Sequence, residues 1–246
     1  MEIKINGVSH PAEKDEFVLA AARRNRVAIP TLCHHDGLPG QGCCRICLVE
    51  VVEKGRSKIV TACVYPVTDG LEVFTDTERV AAARRRNLAM LRLRAPEAER
   101  VRQLCALYQV PDDGRFKAMD GERCILCGLC ARACLSLGAG AISTVNRGVD
   151  KKIAPPYEEP PDSCIGCGSC AASCPANAIP MEQTSDTRTI WGRVFTMQRC
   201  SQCGDPYTTE EAARYTGRIA GQEAAPYCPR CRRERIGAAM RGVYGK

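Results

Sequence analysis

The sequence is poor in aromatic residues and has no long apolar run. Aromatics make up 5% of its 246 residues, which is too little for one large core, so this length predicts several small modules. No apolar stretch approaches the roughly 20 residues of a membrane-spanning helix, and no secretory leader is evident. We therefore expect a cytoplasmic protein with no direct membrane insertion.

Cysteine, in contrast, is abundant, with 18 residues. Many stand in pairs separated by two residues, which is the spacing of metal ligands. Disulfides are the alternative, but they are rare in a reducing cytoplasm. We expect metal centres that stabilise modules too small for a sufficient hydrophobic core.

The formal net charge is +7 with every cysteine counted as neutral. An iron–sulfur or zinc centre held by four thiolates carries about −2, so four such centres would contribute about −8. The basic residues therefore offset thiolate charge, and we expect no nucleic-acid partner. The run Arg84–Arg86 predicts a solvated helix face or a docking surface.

One cysteine pattern, Cys-x2-Cys-x2-Cys-x3-Cys, occurs at residues 124–134 and again at 164–174. It is the pattern of bacterial ferredoxins with two [4Fe–4S] clusters, in which the fourth cysteine of each motif binds the other cluster. A single remaining cluster is the alternative, although all eight ligands are present. The resemblance implies one cluster held by Cys124, Cys127, Cys130 and Cys174, and another held by Cys164, Cys167, Cys170 and Cys134.

A different spacing, Cys33-x10-Cys44-x2-Cys47-x15-Cys63, occupies the N-terminal region. It favours a [2Fe–2S] cluster in a β-grasp module, with zinc as the alternative. The stretches IPTLCHHDGLPGQGCCRICLVEV and TACVYPV resemble the N-terminal domain of the complex I large peripheral (75 kDa-type) subunit. They also resemble the accessory domain of NAD-linked and iron-only hydrogenases and formate dehydrogenases.

Three residues near this motif need separate assignment. Cys44 is chosen over Cys43 because the CRIC tetrad of the resembled family begins there. A Rieske centre would need a second Cys/His pair, and no histidine follows Cys44 or Cys47. His34 and His35 are therefore predicted to be exposed loop residues.

The last cysteine set has the two paired knuckles of a zinc ribbon. Rubredoxin-type iron or a further [4Fe–4S] cluster are the alternatives, since spacing does not separate them. Cys43 and Cys105 remain, and Cys105 is predicted to be a core residue of a helix. The four ligands are Cys200, Cys203, Cys228 and Cys231.

The predicted fold class is α+β with several modules. Strands are expected at 2–6, 46–52, 58–64 and 71–74, and helices at 16–26, 78–94 and 96–107. Further strands are expected to start at 141 and 178, and a β-like run covers 189–197. The modules are a β-grasp [2Fe–2S] ferredoxin domain (1–76), a short helical connector (77–117), a bacterial-type 2×[4Fe–4S] ferredoxin domain (118–186) and a small zinc-ribbon-like tail (187–246).

The resembled families usually carry one more cluster in the connector, held by one histidine and three cysteines. Here the connector has only Cys105 and no histidine, so the two cluster-bearing modules must pack directly or a partner must supply the step. No flavin, nicotinamide or hydrogen-activating site is evident either.

The resemblance implies an electron-transfer subunit of a cytoplasmic hetero-oligomeric oxidoreductase. Its expected partners are a flavin/NAD(H)-binding subunit and a catalytic subunit such as hydrogenase or formate dehydrogenase. The alternatives are a relay in an electron-bifurcating or other low-potential reductase complex, and a free ferredoxin-like shuttle.

Overall fold

The computed structural model describes residues 1–112, 114–223 and 226–244. The chain divides into two compact units. The first contains residues 1–129 and 173–178, and the second contains 130–172 and 179–246. No helix in the described ranges combines the length and apolar character needed to cross a membrane.

The first unit is built on a five-stranded sheet with strand order β2-β1-β5-β3-β4. Strands β1 and β5 run parallel, and the other neighbours are antiparallel. Helix α1 (Val18–Arg24) buries its apolar side against the sheet. The strands are β1 (Glu2–Ile5), β2 (Val8–Pro11), β3 (Leu48–Glu53), β4 (Arg56–Thr61) and β5 (Leu71–Phe74).

The strands of the β3–β4 hairpin differ from the predicted ranges in opposite directions. Strand β3 begins two residues later than predicted, and β4 begins two residues earlier. The two-residue loop of the hairpin, Lys54 and Gly55, has positive φ at both residues, as a type I′ turn requires. This tight turn extends β3 to Glu53. Cys47 therefore precedes one strand and Cys63 follows the other, and neither lies inside the ladder.

The connector consists of α2 (Glu78–Arg94) and α3 (Glu99–Leu107). The Thr77 side chain caps α2 by accepting the N–H of Val80 at 3.2 Å, as expected for an N-cap. Helix α3 starts three residues later than predicted because the chain first makes a turn, closed by a bond from the N–H of Ala98 to the carbonyl of Ala95 at 3.1 Å, and Ala98 is extended at the N-cap.

Arg84 is the largest fully buried side chain of the described residues, with 2% of its surface exposed. The prediction that the whole arginine run is solvated is therefore wrong at this position. Its guanidinium donates to the carbonyl oxygens of Leu48 (2.6 Å) and Thr75 (2.9 Å) and to the Tyr108 hydroxyl (2.8 Å). Arg84 thus ties the sheet to the connector.

The second unit contains a four-stranded sheet, β11-β10-β9-β8, and the pair β6–β7. The predicted β-like run over 189–197 is two strands, because Trp191 and Gly192 both have positive φ and reverse the chain. The predicted strand starts at 141 and 178 lie two and three residues early. The strands are β6 (Ser143–Val145), β7 (Lys152–Ala154), β8 (Met181–Gln183), β9 (Thr187–Ile190), β10 (Arg193–Arg199) and β11 (Pro206–Thr209).

Short helices carry parts of the cysteine motifs. Helix α6 (Glu210–Ala220) is capped by Thr209, whose hydroxyl accepts the N–H of Ala212 at 3.2 Å, and its C-cap is Gly221 in the left-handed conformation. The remaining helices are α4 (Leu129–Ser136), α5 (Ser169–Ala172) and α7 (Pro229–Tyr244).

Gly166→Ala is expected to destabilise the second unit by about 2–4 kcal/mol. Gly166 has a φ of +65°, and an added Cβ would lie 2.6 Å from the Phe195 ring, which is fully buried. Gly221→Ala is the matched control, since φ is also +65° there but nothing lies within 4 Å. Urea unfolding followed by circular dichroism compares the two. Equal losses in both variants would mean that the close approach to Phe195 is unimportant.

Candidate metal centres

The first cysteine set lies where loops meet one end of the β3–β4 hairpin. All four of its members, Cys33, Cys44, Cys47 and Cys63, are buried. The sulfur of Cys33 accepts the N–H of Cys44 at 3.5 Å, and a hydrogen bond from the Cys47 thiol lowers the pKa of Cys63 to about 7. The buried thiols therefore contact one another in two pairs, Cys33 with Cys44 and Cys47 with Cys63. With an amide N–H aimed at Cys33, they form a donor set for a thiolate-bound centre.

A glycine allows the loop to close over this set. The Cβ of an alanine at Gly40 would lie 2.5 Å from the carbonyl oxygen of Cys63. Backbone therefore approaches backbone at this point, which only glycine permits.

Cys43 and Cys44 both contact Cys33. Hydrogen bonds from Cys43 first and Cys44 second lower the pKa of Cys33 to about 2. Cys44 is only 8% exposed, whereas Cys43 is exposed, so burial favours Cys44 as the ligand. The sulfur of Cys43 lies 3.5 Å from the carbonyl oxygen of Cys127, a member of the next set.

The two histidines of this loop differ from each other. His35 is exposed, as predicted, and its Nδ1 accepts the N–H of Gly37 at 3.1 Å. The prediction for His34 is wrong, because its side chain is only 16% exposed and pairs with Asp36 at 3.1 Å. That hydrogen bond is the largest cause of the lowered pKa of Asp36.

Three cysteines of the next predicted set lie in the first unit. Burial raises the pKa of the Cys127 thiol to about 11, and the neighbouring thiols of Cys174 and Cys124 act in the same direction. The sulfur of Cys124 accepts the N–H of Leu126 at 3.4 Å, and that of Cys174 accepts the N–H of Ala178 at 3.3 Å. Cys130 is assigned to the second unit, so its place in this set stays a prediction.

The other predicted [4Fe–4S] set lies wholly in the second unit. Cys134, Cys164, Cys167 and Cys170 line one small enclosed cavity. Cys134 comes from the first motif and the other three come from the second, which is the exchange implied by the ferredoxin resemblance. The sulfur of Cys134 accepts the N–H of Ala141 at 3.2 Å.

The C-terminal cysteines form the most compact set. The sulfurs of Cys200, Cys203, Cys228 and Cys231 all lie within 4.8 Å of one another, and those of Cys203 and Cys228 are 3.8 Å apart. Burial acts to raise the pKa of Cys200, but N–H donors, first that of Cys228, outweigh it and lower the pKa to about 6.

The remaining cysteine, Cys105, is buried on α3, and its sulfur lies 3.7 Å from the carbonyl oxygen of Leu88. This confirms the prediction of a core residue. Residues of the β9–β10 hairpin that contact the second motif were not predicted: Arg188, Trp191 and Arg193. The only sequence signal for them is that Trp191 is the single tryptophan of the chain and stands before a glycine.

Two protein families match parts of the chain. Residues 1–78 match the 2Fe-2S iron-sulfur cluster binding domain. Residues 163–231 match the 4Fe-4S dicluster domain, a range that covers the second cysteine motif and the C-terminal set. The chain therefore contains one region similar to [2Fe–2S] cluster-binding domains and one similar to [4Fe–4S] dicluster domains.

Curated relatives confirm the predicted resemblance to complex I and hydrogenase proteins. The chain is 29% identical over 217 residues to the NADH-ubiquinone oxidoreductase 75 kDa subunit of Reclinomonas americana, a match that covers 78% of this chain and 31% of the relative. It is 29% identical over 210 residues to NADP-reducing hydrogenase subunit HndD of Solidesulfovibrio fructosivorans, with 73% and 36% covered. The chain thus spans about a third of the length of these relatives.

A solved structure is similar in both sequence and fold. One chain from the crystal structure of an NAD+-reducing [NiFe]-hydrogenase in the H2-reduced state matches with a TM-score of 0.55 and 29% identity. The match covers 63% of this chain and 74% of that chain.

Proposed function

We propose that this chain is the electron-transfer subunit of a hetero-oligomeric oxidoreductase. It would relay single electrons between a flavin/NAD(H)-binding partner and a catalytic partner such as hydrogenase or formate dehydrogenase. The observation that carries the proposal is the cavity lined by Cys134, Cys164, Cys167 and Cys170. It combines cysteines of two motifs in the way that two-cluster ferredoxins do.

In this proposal twelve cysteines hold three redox centres. Bound iron–sulfur clusters supply one-electron oxidation and reduction. The chain contributes ligands, burial and N–H donors to sulfur, which together set the reduction potentials. The [2Fe–2S] ligands would be Cys33, Cys44, Cys47 and Cys63, and the [4Fe–4S] ligands would be the sets 124, 127, 130, 174 and 164, 167, 170, 134.

Direct contact inside the first unit supports a relay without the missing connector cluster. Cys33, Cys44 and Cys127 belong to one buried cluster that also contains Leu88 and Ile125. The connector helices contribute apolar side chains, such as Leu88 and Leu104, to this cluster. The step from the first cysteine set to the second would therefore need no intermediate in this chain.

For the C-terminal set we propose a single zinc ion. Four sulfurs about 2.3 Å from one tetrahedral ion lie about 3.8 Å apart, close to the observed spacing of 3.8 Å between Cys203 and Cys228. A [4Fe–4S] cluster would hold its four thiolates farther apart, because each binds a different iron. Mononuclear iron shares the zinc geometry and is the alternative.

Cys203→Ser is expected to remove about one zinc per chain and to leave the iron content unchanged. Elemental analysis of the purified variant and of the unsubstituted protein measures both metals. The matched control, Cys43→Ser, should change neither metal. A loss of iron in Cys203→Ser would contradict the assignment of zinc and would favour an iron centre in the tail.

The proposed function is tested by reducing the anaerobically purified protein with dithionite and recording its EPR spectrum. We expect signals of one reduced [2Fe–2S] and two reduced [4Fe–4S] centres. The absence of any reducible [4Fe–4S] signal would overturn the proposal. The molecular mass of the protein in native extract distinguishes a subunit of a complex from a free electron carrier. A lone monomer would favour the free ferredoxin-like alternative.

A further inference from the structure

Trp191 occupies an unusual position for a tryptophan. It is the first residue of the two-residue turn between β9 and β10, where Ile190 pairs with Arg193. Its φ is +53° and that of Gly192 is +74°. Such a turn normally takes Asn-Gly or Asp-Gly, and a bulky residue at positive φ is an outlier. Strained residues of this kind concentrate at functional sites.

The indole of Trp191 faces the second [4Fe–4S] cysteine set. Its Nε1 lies 3.5 Å from the sulfur of Cys170. Trp191 and Ile190 also line the cavity that the four cysteines line. The ring therefore places one N–H donor and an apolar surface against the same centre.

Two arginines fix the hairpin on the cysteine loop and so fix the position of the indole. Arg193 donates to the carbonyl oxygens of Pro161, Asp162 and Cys164 at 2.8, 2.8 and 3.0 Å. Arg188 donates to the carbonyl oxygen of Gly166 at 2.8 Å. These bonds hold the hairpin that carries Trp191 against the loop that carries Cys164 and Gly166.

We propose that Trp191 is a positioning residue that raises the reduction potential of the centre held by Cys134, Cys164, Cys167 and Cys170. A hydrogen bond to a ligand sulfur stabilises the extra negative charge of the reduced state. The other [4Fe–4S] set can have no equivalent indole donor, because the chain contains a single tryptophan. This inference rests on the proposed function, and it makes the two [4Fe–4S] centres unequal.

The test is an EPR-monitored redox titration of the anaerobic holoprotein and of Trp191→Phe, which keeps a ring but removes the N–H. We expect the reduction equilibrium of one [4Fe–4S] centre to shift about tenfold toward the oxidised state, which corresponds to 59 mV for one electron. The other two centres should not shift. Val194→Thr is the matched control, since Val194 lies on the same hairpin with 66% of its surface exposed.

A second variant separates the lost N–H from loosened packing. Replacing the indole by a benzothiophene, through an unnatural amino acid, keeps the shape of Trp191 and removes only the donor. The benzothiophene variant should show the same shift in reduction potential as Trp191→Phe. If Trp191→Phe loses its cluster, the benzothiophene variant alone tests whether the indole N–H raises the reduction potential. No shift, an upward shift, or equal shifts of both [4Fe–4S] centres would overturn the inference. A protein with no reducible centre even before substitution would instead overturn the proposed function.

Discussion

Cys134→Ala and Cys164→Ala are each expected to lower the iron content by about four atoms per chain, and the double variant should lose no more than either single one. The reason is that both cysteines line one cavity although they belong to different motifs of the sequence. Removing a second ligand of the same cluster removes nothing further. Iron analysis of anaerobically purified protein measures all three variants.

Two control variants make this result decisive. Combining Cys134→Ala with Cys124→Ala should remove about eight iron atoms, because these two cysteines belong to one motif but are assigned to different clusters. Cys105→Ala, at a buried thiol outside every ligand set, should leave the iron content unchanged. If Cys134→Ala and Cys124→Ala together lost only about four iron atoms, each motif would bind its own cluster, and the exchange of fourth ligands would be wrong.

Arg84→Leu is expected to destabilise the first unit by about 3–5 kcal/mol. The substitution leaves the carbonyl oxygens of Leu48 and Thr75 buried without their guanidinium donor, and it also removes the bond to the Tyr108 hydroxyl. Leu48 and Thr75 lie on the side of the sheet and Tyr108 lies in the connector, so we expect the substitution to weaken the packing of the connector on the sheet. Urea unfolding of the holoprotein, followed by circular dichroism and visible absorbance, measures the loss.

The control for Arg84 is available two residues away. Arg86 lies on the same helix and is exposed, so Arg86→Leu is expected to change the free energy of unfolding by no more than about 0.5 kcal/mol. The loss of unfolding free energy in Arg84→Lys should lie between those of Arg84→Leu and Arg86→Leu, since an ammonium group keeps the charge but cannot reproduce the planar arrangement of guanidinium donors. Equal stability of Arg84→Leu and Arg86→Leu would contradict the structural role of the buried guanidinium.

Sequence patterns predicted the elements best where local and tertiary preferences agree. Strand β5 and helix α2 begin and end at the predicted residues, since Thr77 is a strong N-cap and alternating apolar residues mark the strand. Helix α3 begins later than the sequence predicts because residues 95–98 form a turn and Ala98 is extended. A proline at position 96 suits a turn as well as the first position of a helix, so the sequence pattern does not distinguish the two.

The four cysteine sets could be proposed from the sequence because each contains cysteines separated by two residues, which is the spacing of metal ligands. The other residues that contact these cysteines could not be predicted in this way. Trp191 stands where turn preferences favour asparagine, and the run over 189–197 therefore reads as one strand rather than a hairpin. Arg84 reads as a solvated charge until the carbonyl groups of Leu48 and Thr75 are seen to surround it. In both cases the determining partners come from distant parts of the sequence.

The most direct test of the relay is to count iron and electrons in the same anaerobic preparation. One two-iron and two four-iron centres require about ten iron atoms per chain, and stoichiometric titration with a low-potential reductant should then deliver about three electrons. If both the iron content and the electron uptake have these values, the result supports three redox centres held by twelve cysteines. Iron far below ten atoms, or uptake of a single electron, would contradict the account.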